Sequence, residues 1–280
     1  MTAVRRSGPG AGAGNGVQEP GGQGSPGRVR LAVVVPALNE AHEHGILATL
    51  SALRAQVDRD FDLVVVDNGS TDGTADLVRA TIVAWDEPRW RLVTEAQKGT
   101  GAAADTGMRA AIAAGATHLA RTDADCVPPP DWTLRVRAAF AVGHDLVAGR
   151  LVARTDDLPV SRVRQAVLAR AVSLASAFGK LRPGNQDPSY QGPYVMAPGC
   201  NMAITADLYE RAGGFPRTAI EDLHEDRALV NAVRRLTSAY GAHPEVVVRA
   251  STRRAHAWGL VRTLGWYADH RYKPEVVDIR

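Results

Sequence analysis

Apolar residues along this chain follow two periods. Leu31-Ala32-Val33-Val34-Val35 is a short, unbroken, β-branched run stopped by Pro36, and Phe61 to Val66 is a second. Such runs read as strands buried on both faces, as in a parallel sheet. Between them, Ile46, Leu47, Leu50 and Leu53 recur on one side of a helical pattern. Trp90 to Val93 predicts a third strand and Thr117-His118-Leu119-Ala120 leads into a fourth. Helical patterns fill the gaps, one through Leu77, Val78 and Ala80 and an Ala-rich one through Met108 and Ile112. Strands alternating with helices predict an α/β fold, a mostly parallel sheet with helices on both faces.

The polar positions fall where that fold would use them. The second strand ends in Asp67-Asn68-Gly69-Ser70-Thr71-Asp72-Gly73-Thr74, a run of turn formers that offers Ser70, Thr71 or Asp72 as a helix N-cap. Lys98-Gly99-Thr100-Gly101 opens the Ala-rich helix. Open sheets of this kind bind ligands at the carboxyl ends of their strands. Glu40, Asp67, Lys98, Asp123 and Asp125 each fall just after a strand or in the loop that follows one. That coincidence joins several weak motifs into one predicted site.

The fourth strand runs into Arg121-Thr122-Asp123-Ala124-Asp125-Cys126, then Pro128, Pro129 and Pro130, which no helix interior or central strand tolerates. Residues two apart in an extended segment point the same way, so both carboxylates can face one site. Two such charges repel unless a cation lies between them, and a hard divalent ion suits oxygen ligands. An Asp-x-Asp tripeptide is also a common solvated turn, so its neighbours decide.

The second half is less regular. Asp145 to Val152 reads as a strand. Val163, Val167, Ala171, Leu174 and Phe178 follow at helical spacing, with Arg162, Arg164, Arg170 and Lys180 alongside. This stripe packs on the sheet or, as the alternative, forms a basic amphipathic face for peripheral membrane contact. Arg182 to Gly199 holds four prolines and three glycines with Tyr190 and Tyr194, a long loop of the kind that often works as a lid. Gly213-Gly214-Phe215 and the acidic residues Glu221, Asp222, Glu225 and Asp226 precede a helix carrying Leu229, Val230, Val233 and Leu236. A strand from Glu245 to Val248 follows, then Ser251-Thr252-Arg253-Arg254 and a closing helical segment through Trp258, Val261, Leu264 and Trp266.

Composition narrows the class. The 280 residues carry a net charge of only +3, and no basic stripe interleaved with aromatics suggests nucleic acid. Residues 1–28 are Gly- and Pro-rich with few large apolar groups, and predict a disordered tail before a single domain spanning 29–280. Two cysteines, Cys126 and Cys200, make no disulfide framework, which fits a reducing cytoplasm. No apolar run is long enough to span a membrane.

Taken in order, these motifs resemble the family-two glycosyltransferases, which have the Rossmann-like GT-A fold. The resemblance rests on Val33 to Glu40, Val66 to Thr74, Lys98-Gly99, Asp123-Ala124-Asp125, Gly213-Gly214-Phe215 and Glu225-Asp226. It implies a soluble, non-processive, inverting hexosyltransferase using a UDP, GDP or dTDP sugar and a divalent metal, Mn2+ or Mg2+, with a nucleotide-binding half at 29–127 and an acceptor-binding half at 128–280. It further implies that Pro36, Asn39 and Glu40 line the nucleoside pocket, that Asp67 with Asn68 meets the base, and that Lys98 and Gly99 lie beside the nucleotide. Asp123 would contact the ribose or the metal, and Asp125 would ligate the metal. Arg253 or Arg254 would approach the diphosphate, or the two form a solvated pair. His224, His256 and His270 are third-ligand candidates, each with a structural reading beside it. The membrane-bound members' Gln-x-x-Arg-Trp motif is missing, which argues against processive synthesis.

The family's Glu-Asp pattern carries a Leu three residues after the Asp. Leu229 satisfies it from Asp226, whereas Glu225 breaks it from Asp222. Asp226 is therefore the predicted general base, with Glu225 positioning a small-molecule, lipid-linked or natural-product hydroxyl and Asp222 as the alternative base. Two other functions compete. A nucleotidyltransferase shares the sheet and the metal carboxylate but usually carries a Gly-rich basic loop where Pro36 to Glu40 stands. A non-catalytic nucleotide-sugar binding protein would not need the acidic cluster.

Overall fold

The computed structural model describes residues 29–157, 170, 183–217 and 225–259. Outside them lie the Gly/Pro-rich tail, the stripe from Val163 to Phe178 with Arg162, Arg164 and Lys180, Arg182, Glu221, Asp222 and His224. The closing residues Val261, Leu264, Trp266 and His270 also lie outside. The strands are β1 (Leu31–Ala37), β2 (Phe61–Asp67), β3 (Trp90–Thr94), β4 (His118–Thr122), β5 (Leu146–Ala153), β6 (Asn201–Thr205) and β7 (Tyr240–Ala250). The helices are α1 (Ile46–Arg54), α2 (Thr74–Ala84), α3 (Thr100–Ala113), α4 (Trp132–Ala141), α5 (Ala206–Arg211), α6 (Glu225–Leu236) and α7 (Arg253–Trp258).

The strands form one seven-stranded sheet in the order β3-β2-β1-β4-β6-β5-β7. β1 pairs in parallel with β2 and β4, β2 with β3, and β5 with β7. Only β6 breaks the pattern, running antiparallel to both β4 and β5. The mostly parallel α/β fold expected from the alternation of strands and helices is therefore the one observed.

Alternate residues of each inner strand feed two cores. Ala32, Val34, Val64 and Val66 pack with Ala103, Ala104 and Met108 of α3 and with Leu229, Val230 and Val233 of α6. Leu31, Val33, Val35, Leu63 and Val65 face the other way, onto Ile46, Leu50 and Leu53 of α1, Val78 of α2 and Trp132 and Val136 of α4. This double burial is why the strands read as continuous apolar runs. Gly107 brings α3 close to the sheet: a Cβ there would stand 2.3 Å from Val34 Cγ1 and 2.7 Å from Val66 Cγ2.

Three local expectations change. Pro36 does not stop β1, which continues to Ala37. The pairing of β4 with β1 ends at Val34, so Pro36 lies where the strand is paired with β2 alone and a missing N–H is tolerated. The N-cap position of α2 is Gly73, in the left-handed region at φ +89, rather than a side-chain cap. Asp72 still serves that turn, its Oδ1 accepting the Thr74 N–H at 3.0 Å. β7 begins at Tyr240, five residues before the expected start at Glu245, because residues 243–246 stand opposite Gly149 alone and interrupt the alternation. Pro244 falls inside that irregular stretch of an edge strand.

The described part of the long loop is clamped to α6. Arg234 is buried, donates to Asn185 O and Gly192 O at 3.0 Å each, and lies 4.0 Å from the Tyr190 ring centroid.

Candidate active site

At the carboxyl end of β1 the chain turns at Asn39, whose φ of +50 is a left-handed value that Asn accepts more readily than most residues. Its N–H donates to Ser70 Oγ at 2.9 Å, and its Oδ1 accepts the Thr71 N–H at 2.6 Å. The Glu40 and Ala41 N–H groups donate to Thr74 Oγ1 and Asp72 Oδ2. The turn formers after β2 thus bind the loop after β1, and the two strand ends become one surface. Beside them, Asp67 is buried and its Oδ1 has no hydrogen-bond partner among the described residues. A buried acceptor left unmatched costs about 1–3 kcal/mol. Asn68 is fully committed: its Nδ2 donates to Glu95 O and Gln97 O, and its Oδ1 accepts the Gly99 N–H at 2.9 Å. It shapes the loop carrying Lys98 and Gly99. Gly99 has a φ of +136, Lys98 is exposed, and Pro36 lies within β1.

Two carboxylates and an arginine meet one strand further on. Arg253, at the start of α7, donates through Nη2 to Asp125 Oδ2 at 2.9 Å and to both oxygens of Glu40 at 3.0 and 3.2 Å. His42 Nε2 lies 2.7 Å from both Glu40 Oε2 and Arg253 Nη1. Burial raises the Glu40 pKa and Asp125 adds to the effect, with Arg253 pulling it back only in part. The turn itself is held by Arg154, which is fully buried and donates to Asp125 O at 2.9 Å and His44 O at 2.8 Å.

Glu225 and Asp226 stand in the first turn of α6. Glu225 Oε1 accepts from Arg121 Nη1 and Nη2 at 3.4 Å each, and Asp123 Oδ1 accepts from Arg121 Nε at 3.1 Å. Burial pushes the Asp123 carboxyl up; Arg121 pulls it back, while Asp125 and Glu225 push it up further. Asp226 Oδ2 accepts the Gly199 N–H at 3.3 Å, and its Oδ1 accepts the Arg227 N–H at 2.6 Å. Burial, then the charge of Glu225, pushes Asp226 up to about 6. Close approach requires glycine twice: a Cβ on Gly199 would lie 3.0 Å from Arg121 Nη1, and one on Gly101 would lie 2.3 Å from Pro216 O.

The donor set suits a hard divalent cation. Asp123 and Asp125 offer carboxylate oxygens, and each already meets a cationic group, Asp123 accepting from Arg121 Nε at 3.1 Å and Asp125 from Arg253 Nη2 at 2.9 Å. Among the described residues no three His, Cys, Asp or Glu side chains converge into a complete cage. The protein would then supply two carboxylates and leave the remaining positions to phosphate oxygens and water, as magnesium sites with nucleotides commonly do. His256 is exposed on α7.

Six of the predicted residues fall in two clusters. Glu40, Asp125 and Arg253 form one cluster, Asp123, Glu225 and Asp226 gather around Arg121, and Asp67 lies between strand ends. Asn39 and Asn68 spend the hydrogen bonds described above on neighbouring loops. Lys98 is outside the clusters, Arg254 has only its backbone described, and Asp222 is not among the described residues. Arg121, Arg154 and His42 carried no role in the sequence reading. The signal for Arg121 was present: it is a charge at the end of a strand in a sheet expected to be covered on both faces, and a buried charge requires partners.

The sequence model of glycosyl transferase family 2 matches residues 32–211. Glycosyltransferase AglE of Haloferax volcanii is 28% identical over 232 residues, 76% of this chain and 66% of its own length. The undecaprenyl-phosphate 4-deoxy-4-formamido-L-arabinose transferase of Photorhabdus laumondii is 27% identical over 152 residues, 51% of this chain and 44% of its own. Both shares of the relatives' length fall below two thirds. The mannosyltransferase PcManGT of Pyrobaculum calidifontis, solved with GDP-Man and Mn2+, superposes with a TM-score of 0.58 at 26% identity. That alignment covers 86% of this chain and 62% of the other.

Proposed function

The chain belongs to glycosyl transferase family 2, and on that premise we propose that it transfers a sugar, with inversion, from a nucleotide-sugar donor to a hydroxyl acceptor in a metal-dependent reaction. The observation that carries this reading is the contact of one buried arginine, Arg121, with Asp123 on one side and Glu225 on the other. It brings a donor-side carboxylate and the acceptor-side acidic pair to one end of the sheet, where such folds bind ligands.

The roles follow from chemistry. Asp67 Oδ1 is a buried acceptor suited to an N–H of the nucleobase. The Arg253 fork, now shared by Glu40 and Asp125, matches diphosphate oxygens. Asp123 and Asp125 would hold the divalent ion, Mn2+ or Mg2+, whose bound charge offsets that developing on the leaving diphosphate. With its pKa near 6, Asp226 is largely ionised at neutral pH yet basic enough to take the acceptor's proton. Glu225, held through one oxygen, orients the hydroxyl with the other. A single displacement with the base on the face opposite the leaving group gives inversion.

The undecaprenyl-phosphate in one relative's name supports a lipid-linked acceptor, and the relatives' partial coverage leaves small-molecule and natural-product hydroxyls open. No helix among the described residues is long and apolar enough to cross a membrane. The test is a thermal-shift screen of UDP, GDP and dTDP sugars with Mn2+, followed by donor hydrolysis with and without acceptor, since a ligand that binds the folded state raises its stability. A preferred donor that is hydrolysed or transferred supports the reading. A donor that binds and is never turned over would favour a non-catalytic binder.

A further inference from the structure

Among the described residues Arg121, like Arg154, is a wholly buried arginine, with 1% of its side chain exposed. Its backbone is fixed on both sides, paired with Val34 of β1 and Met202 of β6. The guanidinium lies 5.1 Å from the centroid of the Phe215 ring and has Gly199 against its Nη1 face. Phe215 is in turn held by its N–H donating to Tyr209 Oη at 3.0 Å, and that hydroxyl donates to Asp105 Oδ1 at 2.9 Å. The Gly213-Gly214-Phe215 motif thus builds a wall for this arginine.

Burying a cation with its partners seldom stabilises a fold, and an apolar replacement is often at least as stable. The expense points to a role beyond stability, and the partners say which. Nε serves Asp123 on the loop after β4, while both terminal nitrogens serve one oxygen of Glu225, 104 residues further along the chain. A guanidinium is a rigid plane, so these contacts constrain the distance and angle between a donor-side and an acceptor-side carboxylate. A lysine keeps the charge and loses that constraint.

We infer that Arg121 is the positioning residue that registers the donor half against the acceptor half, acting through Asp123 and Glu225 without touching either substrate. The inference rests on the glycosyltransferase reading above. The residues that meet the donor's base, Asp67 and the loops shaped by Asn39 and Asn68, have no hydrogen bond to Arg121. Loss of register should therefore slow transfer and spare the base contacts, read as nucleotide affinity without metal, as misplacement of about 1 Å can slow a reaction roughly a hundredfold.

The experiment compares wild type, Arg121→Lys, Glu225→Gln and the double variant in kcat, donor KM, nucleotide affinity and melting temperature. Arg121→Lys should lose at least about tenfold in kcat while nucleotide affinity, measured without metal, stays within about threefold. The two losses should combine to clearly less than their product, because both changes loosen the Arg121–Glu225 contact. A merely structural arginine would lower melting temperature, affinity and kcat together, and its effect would multiply with that of Glu225→Gln. That pattern, or wild-type kcat in Arg121→Lys, overturns the inference. Should Arg121→Lys fail to fold, Phe215→Leu loosens the same guanidinium from behind: reduced kcat with retained nucleotide affinity supports the inference, and unchanged kcat overturns it. Wild-type protein without any turnover would instead overturn the glycosyltransferase reading, so the two failures are separable.

Discussion

Asp226→Asn should make this protein more stable at neutral pH while nearly abolishing transfer. Burial and Glu225 hold the Asp226 carboxyl at about 6, above its ordinary 3.8. A folded-state pKa raised above the unfolded one gives stability that is full below the unfolded value and lost as pH rises through the folded value. At pH 7 the ionised form therefore weighs against folding, by ~3 kcal/mol at most for a displacement of this size. Asparagine cannot ionise, but it has one acceptor oxygen for the Gly199 and Arg227 N–H groups that the carboxylate now serves separately. Losing one of these bonds offsets about 1–1.5 kcal/mol, leaving a net gain of about 1–2 kcal/mol at pH 7. At pH 4 the wild-type carboxyl is itself mostly protonated, and the two proteins should agree within about 1 kcal/mol. Urea unfolding at both pH values measures this. In the same variant kcat should fall by about two to four powers of ten with donor binding intact, and the wild-type kcat should fall as pH drops through about 6, an acid limb that the variant lacks. Equal stability difference at both pH values would refute the burial argument. Wild-type turnover in Asp226→Asn, with Asp222→Asn inactive, would move the base to Asp222.

Three further predictions concern other parts of the site and the sheet beneath it. Asp125→Ala should abolish Mn2+-dependent nucleotide binding and transfer while the circular dichroism spectrum stays native; near-wild-type turnover in Mn2+ would show that the metal is not held there. Asp67→Ala removes a buried oxygen that has no partner, so the protein without nucleotide should lose no more than about 1 kcal/mol. Its nucleotide affinity, read by calorimetry, should fall about tenfold or more. Gly107→Ala forces a methyl group against Val34 and Val66, and should lower stability by about 1–3 kcal/mol in urea titrations without altering the nucleotide affinity of the folded fraction.

What the chain determined by itself was local or periodic. β1 and β2 are legible because both faces are buried, which leaves unbroken β-branched runs. α6 is legible because Leu229, Val230 and Val233 recur at helical spacing on one core. The carboxyl-end loops announce themselves through Asp, Asn, Gly and Ser, whose turn chemistry acts within a few residues. The site residues that follow those strands could be named for the same reason. Tertiary structure decided everything that depends on distance along the chain. The insertion of β6 between β4 and β5, antiparallel to both, leaves no trace in any one strand's pattern. Arg253 reaches Asp125 across 128 residues, and Arg121 reaches Glu225 across 104. Hydrophobic periodicity records which face of an element is buried; it does not record which buried charge will meet which. That choice is made only when the sheet brings its carboxyl ends together, because a guanidinium inside a core must find carboxylates there or destabilise the fold.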